Sequence, residues 1–200
     1  MPKDGDSTRK LLVHHAFQLF KEKGYQNVSV KDICTSANVQ RGTFYYHFSS
    51  KDAIIDSFYE NLEISPLLQS TILVTPNYWL KLWLLHKPAI DWTIEMGTDI
   101  LSTILIINLQ KNCSTFFPKS EIRTKENVLD VIEHGQKAGH FHSRRTPLEL
   151  YHTIRNQILG ICLSWCTQKG SFDEAREIHD AMISILQVDD SLISETLDWI

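Results

Sequence analysis

The sequence predicts an all-α fold, with an N-terminal domain of three helices that contains a helix-turn-helix and a larger helical domain after it. Apolar residues recur at intervals of three and four along most of the chain, which is the periodicity of amphipathic helices. Several of these stretches begin at a Ser or Thr that is followed three residues later by Asp or Glu, the pattern of a capping box. The apolar content of 42% in 200 residues is sufficient for a buried core.

Charge is distributed unevenly between the two ends of the chain. Residues 1–51 contain eight Lys and Arg against four Asp and Glu, which gives a formal charge of +4. Residues 52–200 contain twelve against twenty, which gives −8. A basic N-terminal region followed by an acidic remainder is suited to an anionic partner that contacts the N-terminal region only. The same division, 1–51 and 52–200, is the domain organisation that we expect.

The cysteines and the apolar runs indicate a cytoplasmic protein. The four Cys form no C-x-x-C pair and no dense disulfide pattern, so reduced thiols are expected. No apolar leader precedes a cleavage site, and the apolar runs are far too short to span a bilayer. We therefore expect no membrane partner.

The first predicted element is a helix from about Ser7 to Lys23. Gly24 is placed to end it, because glycine adopts the left-handed backbone that closes many helices. Tyr25 is expected to be a buried anchor. The apolar face of the helix is formed by Leu12, Val13, Ala16, Phe17, Leu19 and Phe20.

Two short helices joined by a tight turn are predicted next. Ser29 is a good N-cap for the first, and Asp32 stands three residues on, where a carboxylate can complete the box. The turn falls on residues 37–39, where Asn38 tolerates a left-handed backbone and Val39 is expected to fill the core. The second helix runs from about Gln40 to His47. Phe44 and Phe48, four residues apart, should face inward and leave the polar residues between them to form a surface.

The residues of this region resemble the N-terminal DNA-binding domain of the TetR family of transcriptional regulators. The resemblance is carried by A-F-Q-L-F-K-E-K-G-Y (16–25), S-V-K-D-I (29–33) and G-T-F-Y-Y-H-F-S-S-K (42–51). It implies an all-helical homodimer in which the small N-terminal domain binds double-stranded DNA. It also implies that the larger domain dimerises and binds a small hydrophobic effector.

The same resemblance implies which residues contact DNA. Arg41 would meet a guanine in bidentate fashion and Gln40 an adenine, while Gly42 lets the backbone approach closely. Two residues depart from the usual family pattern, since Asn38 replaces Gly and Gln40 replaces Ser or Thr. The alternative interpretation is that the tyrosines belong to the core and the charges form a solvated face. The phosphate contacts implied are Ser29, Thr43, Tyr45, Tyr46, His47 and Lys51.

A further helix is predicted after this domain. Ser49 and Asp52 form a capping-box-like pair at its start. In the family the equivalent helix links the two domains, so its tilt would set the position of the DNA-reading surface. Pro66 should kink or end it.

Large aromatic and aliphatic residues dominate the next part of the chain. We predict a helix from about Asn77 to His86, another from Pro88, and a centrally buried one from Thr93 to Gln110. An apolar ligand cavity with a polar handle is one interpretation of these residues, and plain core is the other. The candidate ligand-binding residues are Trp79, Trp83, His86, Trp92, Asp99, Phe116 and Phe117.

The C-terminal part predicts three longer helices and a short terminal one. They run from about Glu121 to Ala138, from Thr146 to Lys169 and from Ser171 to Leu186, with the short helix in 189–200. The second and third carry apolar stripes that form either a dimer interface or the protomer's own core, and the resemblance favours the interface. The candidate interface residues are Tyr151, Ile154, Ile158, Ile161, Trp165, Ile178, Met182 and Ile185.

No metal or cofactor is predicted. The histidines at 134, 140 and 142 lack a Cys or carboxylate at matching spacing, and Cys162 and Cys166 are expected to pack as small hydrophobes. We also find no nucleophile–base pair, which argues against the main rival, an enzyme. The second rival is a helical interaction module that does not bind DNA. We expect a regulator, of the repressor type, that binds a palindromic operator as a homodimer.

Overall fold

The computed structural model describes residues 4–58, 65–110, 125–197 and 199–200. These residues are helical apart from turns and one isolated antiparallel bridge between Phe141 and Val188. They form two compact units, one of residues 1–62 and 99–118 and one of residues 63–98 and 119–200. The all-α prediction is confirmed.

None of the helices among the described residues is long and apolar enough to cross a membrane. A single 3₁₀ turn, Tyr25–Asn27, follows the first helix. The helices are α1 (Asp4–Lys23), α2 (Val30–Ser36), α3 (Arg41–His47), α4 (Lys51–Phe58), α5 (Pro66–Val74), α6 (Tyr78–Gln110), α7 (Lys125–Lys137), α8 (Pro147–Thr167), α9 (Glu174–Leu186) and α10 (Asp190–Leu197).

The N-terminal helices pack as the apolar pattern predicts. All six residues of the predicted α1 face are buried, and so are Phe44 and Phe48. Gly24 has φ 78° and its N–H donates to the Phe20 carbonyl, which ends α1 where predicted. Tyr25 is buried against the Phe20 ring, with the ring centroids 4.9 Å apart. Val39 is only half-buried, so its predicted role as a core residue is partly met.

The start of α4 differs from the prediction. The hydroxyl that caps α4 belongs to Ser50, which accepts from the Ala53 N–H at 3.2 Å. The Asp52 carboxylate instead accepts a hydrogen bond from the Tyr25 hydroxyl. The predicted Ser49–Asp52 pair is therefore wrong, because a distant phenol takes the carboxylate that the local pattern assigned to a cap. The predicted continuation of this helix beyond Phe58 lies outside the described residues up to position 64.

One of the two predicted proline boundaries is wrong. Pro66 begins α5, with the Ser65 hydroxyl accepting from the Leu68 N–H. Pro88 lies inside α6, so the predicted helix boundary there is wrong. The helical geometry fails instead at Gly97, where φ is 77° and ψ is 172°. Gly97 adopts this backbone conformation at little steric cost because it has no Cβ atom. Pro88 removes one backbone N–H donor, but the helix continues through it.

The second half of α6 is less buried than predicted. Ile100, Leu101 and Ile104 are buried, but Ile106 and Leu109 are 53% and 78% exposed. This segment is therefore amphipathic rather than buried on all sides.

The C-terminal helices confirm one capping box and correct another. Thr146 and Glu149 form the reciprocal box that starts α8. At α9 the cap is Asp173, whose carboxylate accepts from the Arg176 N–H at 3.0 Å. The predicted Ser171–Glu174 box is therefore wrong, because Glu174 is buried and lies 2.9 Å from the Thr93 hydroxyl.

The buried Glu174 carboxyl gives a stability prediction. Burial raises the pKa of Glu174, although hydrogen bonds with Cys162 and Thr93 oppose the rise. When the pKa of a carboxyl is higher in the folded protein than in the unfolded chain, its contribution to stability is greatest at pH below the unfolded-state pKa. This contribution is lost as the pH rises through the folded-state pKa, because the buried carboxyl must then ionise. We expect Glu174→Gln to raise the thermal midpoint at pH 8, with the gain shrinking towards pH 4.5.

Differential scanning fluorimetry across this pH range measures the effect. The matched control is Glu177→Gln on the same helix, where the side chain is exposed and the change in midpoint should not depend on pH. A gain for Glu174→Gln that is the same at pH 4.5 and pH 8 would contradict the prediction.

Candidate nucleic-acid interface

Local contacts fix the two short helices of the N-terminal domain. Ser29 accepts from the Asp32 N–H at 3.2 Å, and the Asp32 carboxylate accepts from the Ser29 N–H at 2.9 Å. The hydrogen bond from the Ser29 hydroxyl is the first cause of the lowered pKa of Asp32. Asn38 has φ 52°, which is the left-handed turn that the sequence predicts. The Val39 N–H then donates to the Cys34 carbonyl at 2.9 Å and closes the turn.

Helix α3 has one buried side and one exposed side. Phe44 is fully buried, and its ring contacts those of Tyr45 and Phe48. Tyr45 and Tyr46 are 57% and 83% exposed, so the interpretation of both as core residues is excluded. Thr43 and His47 are half-buried beside them. This exposed side is the reading surface, which we define as residues 40–43 and 45–47.

The start of α3 leaves its polar side chains available. Gln40 occupies the N-cap position but its side chain makes no capping hydrogen bond. Arg41 is exposed, and in the described part of the chain no carboxylate lies within ion-pair distance of it. Gly42 is also exposed, and a Cβ atom built on it would meet no protein atom within 4 Å. The fold itself therefore does not require glycine at this position.

Two of the predicted phosphate contacts have roles within the fold. The Ser29 hydroxyl donates to the Asp32 carboxylate at 2.5 Å as part of the capping box. The Lys51 ammonium donates to the carbonyls of Tyr25 and Val28 at 2.7 and 2.8 Å, and lies 3.9 Å from the centroid of the Tyr25 ring. Burial lowers the pKa of Lys51, against the opposing effect of Asp52. The sequence pattern showed the basic charge at position 51 but not its inward direction.

The predicted ligand residues belong mostly to the core. Trp79 and Trp83 are fully buried, and their indole N–H groups donate to the Thr196 hydroxyl and the Trp199 carbonyl. Trp92 and His86 are buried as well, whereas Asp99 is exposed. Phe116 and Phe117 lie outside the described residues. The four described candidates of the C-terminal unit, Trp79, Trp83, His86 and Trp92, are therefore buried in its core, and a ligand contact by any candidate stays a prediction.

The predicted dimer residues are also mostly core. Six of the eight are buried within the protomer, and Tyr151 and Ile185 are half-buried. A different stripe of α8 is exposed, formed by Leu148, Leu159 and Leu163, which we call the α8 leucine stripe. Its spacing of eleven and four residues places it on one helix face. Sequence reasoning missed it because isoleucines dominate the opposite face.

The histidines and cysteines that the structure describes are not grouped as metal ligands. Among the described residues, no group of three His, Cys, Asp or Glu could hold a metal ion. Burial raises the pKa of the Cys162 thiol strongly, and the neighbouring Glu174 adds to the rise, which agrees with its expected packing as a small hydrophobe.

Comparison with known proteins identifies the N-terminal domain. A family model described as "Bacterial regulatory proteins, tetR family" matches residues 12–58, which contain the helix-turn-helix and the reading surface. The match covers 47 of the 200 residues and shows that the N-terminal domain is similar to this family. The family is one of regulatory proteins rather than enzymes.

Curated relatives are similar to part of this chain. The transposon Tn10 TetC protein of Escherichia coli is 32% identical over 96 residues, which is 48% of this chain and 49% of TetC. The HTH-type transcriptional regulator YvdT of Bacillus subtilis is 39% identical over 62 residues, which is 31% of this chain and 32% of YvdT. The similarity thus spans about half the length of these relatives, or less.

The TetR-family fold extends over most of the chain. Thermus thermophilus FadR, a TetR-family transcriptional repressor solved in complex with lauroyl-CoA, superimposes with a TM-score of 0.64. The alignment covers 89% of this chain and 93% of FadR at 18% sequence identity. At that identity the likeness establishes the fold alone.

The Lys51 contacts give a second prediction for this TetR-family domain. We expect Lys51→Ala to lower the free energy of unfolding by about 1–3 kcal/mol, because two part-buried carbonyls lose a charged donor. Urea denaturation measures the change. Lys31→Ala, at an exposed position on α2, is the control and should be neutral. Unchanged stability together with a smaller salt dependence of DNA binding would instead support a phosphate contact by Lys51.

Proposed function

We propose that this protein is a transcriptional regulator of the repressor type, which binds palindromic operator DNA as a homodimer and responds to a small-molecule effector. Residues 1–51 form the DNA-binding domain, and residues 52–200 form the effector-binding and dimerisation domain. Assignment of the N-terminal domain to a family of regulatory proteins supports this proposal over an enzyme. The same family match also supports a regulator over a helical interaction module that does not bind DNA.

The observation that carries the proposal is the two-sided character of α3. One side is anchored by the buried Phe44, while Arg41, Tyr45 and Tyr46 are exposed together. Hydroxyl, imidazole and guanidinium groups of this kind bind phosphate oxygens and base edges. The +4 charge of residues 1–51 supplies the attraction to duplex DNA that precedes specific contact.

The test is selection of bound duplexes from a random pool by the full-length protein. We expect an enriched palindrome whose half-sites lie about one helical turn, or about 34–36 Å, apart. Fluorescence anisotropy with the enriched duplex should then show an affinity that falls as salt rises. A folded protein that binds no duplex at low ionic strength would refute DNA binding and leave the interaction module as the better interpretation.

The α8 leucine stripe supports the homodimer. An exposed row of three leucines on one helix face is costly in water and is covered when the same face of a second copy meets it. Beside the stripe, Gly160 is exposed and a Cβ atom on it would meet no protein atom within 4 Å. Two α8 helices could therefore approach closely about a two-fold axis.

An effector would act only through different affinities for two conformations of the regulator. FadR, a repressor of similar fold, was solved with lauroyl-CoA, which supports a small-molecule effector for this chain as well.

Gly42 gives a prediction that separates a DNA role from a folding role. Gly42→Ala should keep the fold and raise its stability by about 0.5–1 kcal/mol, because alanine is favoured in helices and the added methyl meets nothing. The same variant should weaken binding to the enriched duplex severalfold, because the methyl intrudes where the backbone approaches DNA. Thermal melting and anisotropy measure the two effects. Unchanged DNA affinity would show that Gly42 does not face the duplex.

A further inference from the structure

A cavity in the C-terminal unit is separate from the tryptophans of the core. It lies between α5, α6 and α7 and encloses about 460 Å³. This volume is within the range of small-molecule sites, roughly 300–1,000 Å³. All its lining residues belong to one compact unit. One part of the lining is apolar, with Ile72, Leu73, Leu85 and Val131.

The apolar part of the cavity is unusually exposed. Helix α5 has the sequence P-L-L-Q-S-T-I-L-V, yet none of its residues is buried. Leu73, which lines the cavity, is 79% exposed. Covering it with an apolar ligand would remove this surface from water, at about 25 cal/mol per Å².

The polar part of the cavity contains one ammonium, of Lys81, and one carboxylate, of Asp130. Asp130 Oδ1 lies 3.2 Å from His134 Nδ1 on its own helix. Lys81 lies 5.3 Å from the centroid of the Tyr78 ring, and in the described ranges no carboxylate is within 4 Å of its ammonium. The amides of Gln69 and Asn127 also line the cavity. The Lys81 ammonium and the Gln69 amide are suitable donors for a carboxylate.

We propose that this cavity binds an amphipathic organic anion, with the carboxylate on Lys81 and the apolar body against Ile72, Leu73 and Val131. The inference rests on the proposed function, because it names the chemical class of the effector.

Isothermal titration calorimetry with the full-length protein tests the proposal without DNA. The probes are decanoate, decan-1-ol and decylammonium, which share the apolar chain and differ in head group. We expect decanoate to bind at least about tenfold more tightly than the other two. Lys81→Met should reduce decanoate affinity about 10- to 100-fold, since a charged hydrogen bond contributes about 1.5–3 kcal/mol.

Two further variants sharpen the result. Lys87→Met is the matched control, because Lys87 lies on the same helix but pairs with Asp91 outside the cavity, and its decanoate affinity should equal that of the wild type. Leu73→Ser, at an exposed position, should weaken all three probes alike. Equal affinity for the three head groups, an unchanged affinity in Lys81→Met, or no binding of any probe would overturn the proposal.

The outcomes also separate this inference from the proposed function. A protein that binds decanoate through Lys81 but binds no duplex would retain the anion site and lose the role as a regulator. A protein that binds its enriched duplex but shows no Lys81-dependent binding of decanoate would retain that role and lose the anion site.

Discussion

Replacing Arg41 with alanine is expected to reduce affinity for the enriched duplex by about 1–3 kcal/mol, or roughly 5- to 140-fold. Arg41 is exposed at the start of α3, and in the described structure no carboxylate competes for its guanidinium. A bidentate contact to guanine O6 and N7 uses the fork geometry of this group as well as its charge. The loss should therefore concentrate at one position of each half-site. Anisotropy with a set of single-base variants of the duplex measures it.

Arg41→Lys is the matched variant for this prediction. It keeps the charge but loses the planar fork, so affinity for random duplex should stay near the wild-type value while discrimination at that base falls. If Arg41→Ala lost the same affinity for random and enriched duplexes while Arg41→Lys lost little for either, Arg41 would be a phosphate contact instead. Tyr46→Phe, which removes only one exposed hydroxyl, should weaken both duplexes uniformly.

The local structure of the N-terminal domain was predictable because its determinants are close in sequence. The Ser29–Asp32 box, the left-handed Asn38 and the inward Phe44 each depend on neighbours within four residues. Exposure of Tyr45 and Tyr46 then follows from helix geometry once Phe44 is buried.

The predictions that failed depended on partners far away in sequence. Asp52 and Glu174 both fit a capping pattern, yet they bond to Tyr25 and Thr93, 27 and 81 residues away. The DNA contact of Lys51 stays a prediction, but the two carbonyls to which its ammonium donates, of Tyr25 and Val28, could likewise not be read from the local pattern. A local pattern shows that a carboxylate or ammonium is present, but it does not show which distant group bonds to it in the folded protein.

The dimer contacts predicted on α8 stay a prediction, and the structure shows what the sequence could not, namely which apolar residues the protomer itself covers. Periodicity shows that a helix has an apolar face, but it does not tell what covers that face. The isoleucines at 154, 158 and 161 are covered by the protomer itself, as helices α7, α8 and α9 pack together. The apolar face of α8 that stays exposed on the protomer is the smaller α8 leucine stripe, and only the burial of each residue distinguishes the two faces.

Replacing two residues of the α8 leucine stripe is expected to convert the protein to a monomer. Leu159→Glu with Leu163→Glu places two like charges on each copy, and a two-fold interface would bring four together in a desolvated contact. The protomer should remain folded because both side chains are already exposed, at 36% and 54%. Analytical ultracentrifugation measures the mass, and circular dichroism verifies the helices.

Loss of dimerisation should weaken DNA binding, because the two half-sites would then be bound by two separate monomers. Two linked reading surfaces can exceed the affinity of one by about 10²–10⁴-fold, so a monomer should bind the palindrome little better than a single half-site. The control is Ile94→Glu with Leu197→Glu, which makes the same charge change at residues 41% and 45% exposed on other helices. It should remain a dimer. Ile158→Ala should lower the free energy of unfolding by about 2–5 kcal/mol in either case, because Ile158 is buried in the core of the protomer. If instead the control dissociated and the α8 variant remained a dimer, the interface would lie elsewhere on the protomer.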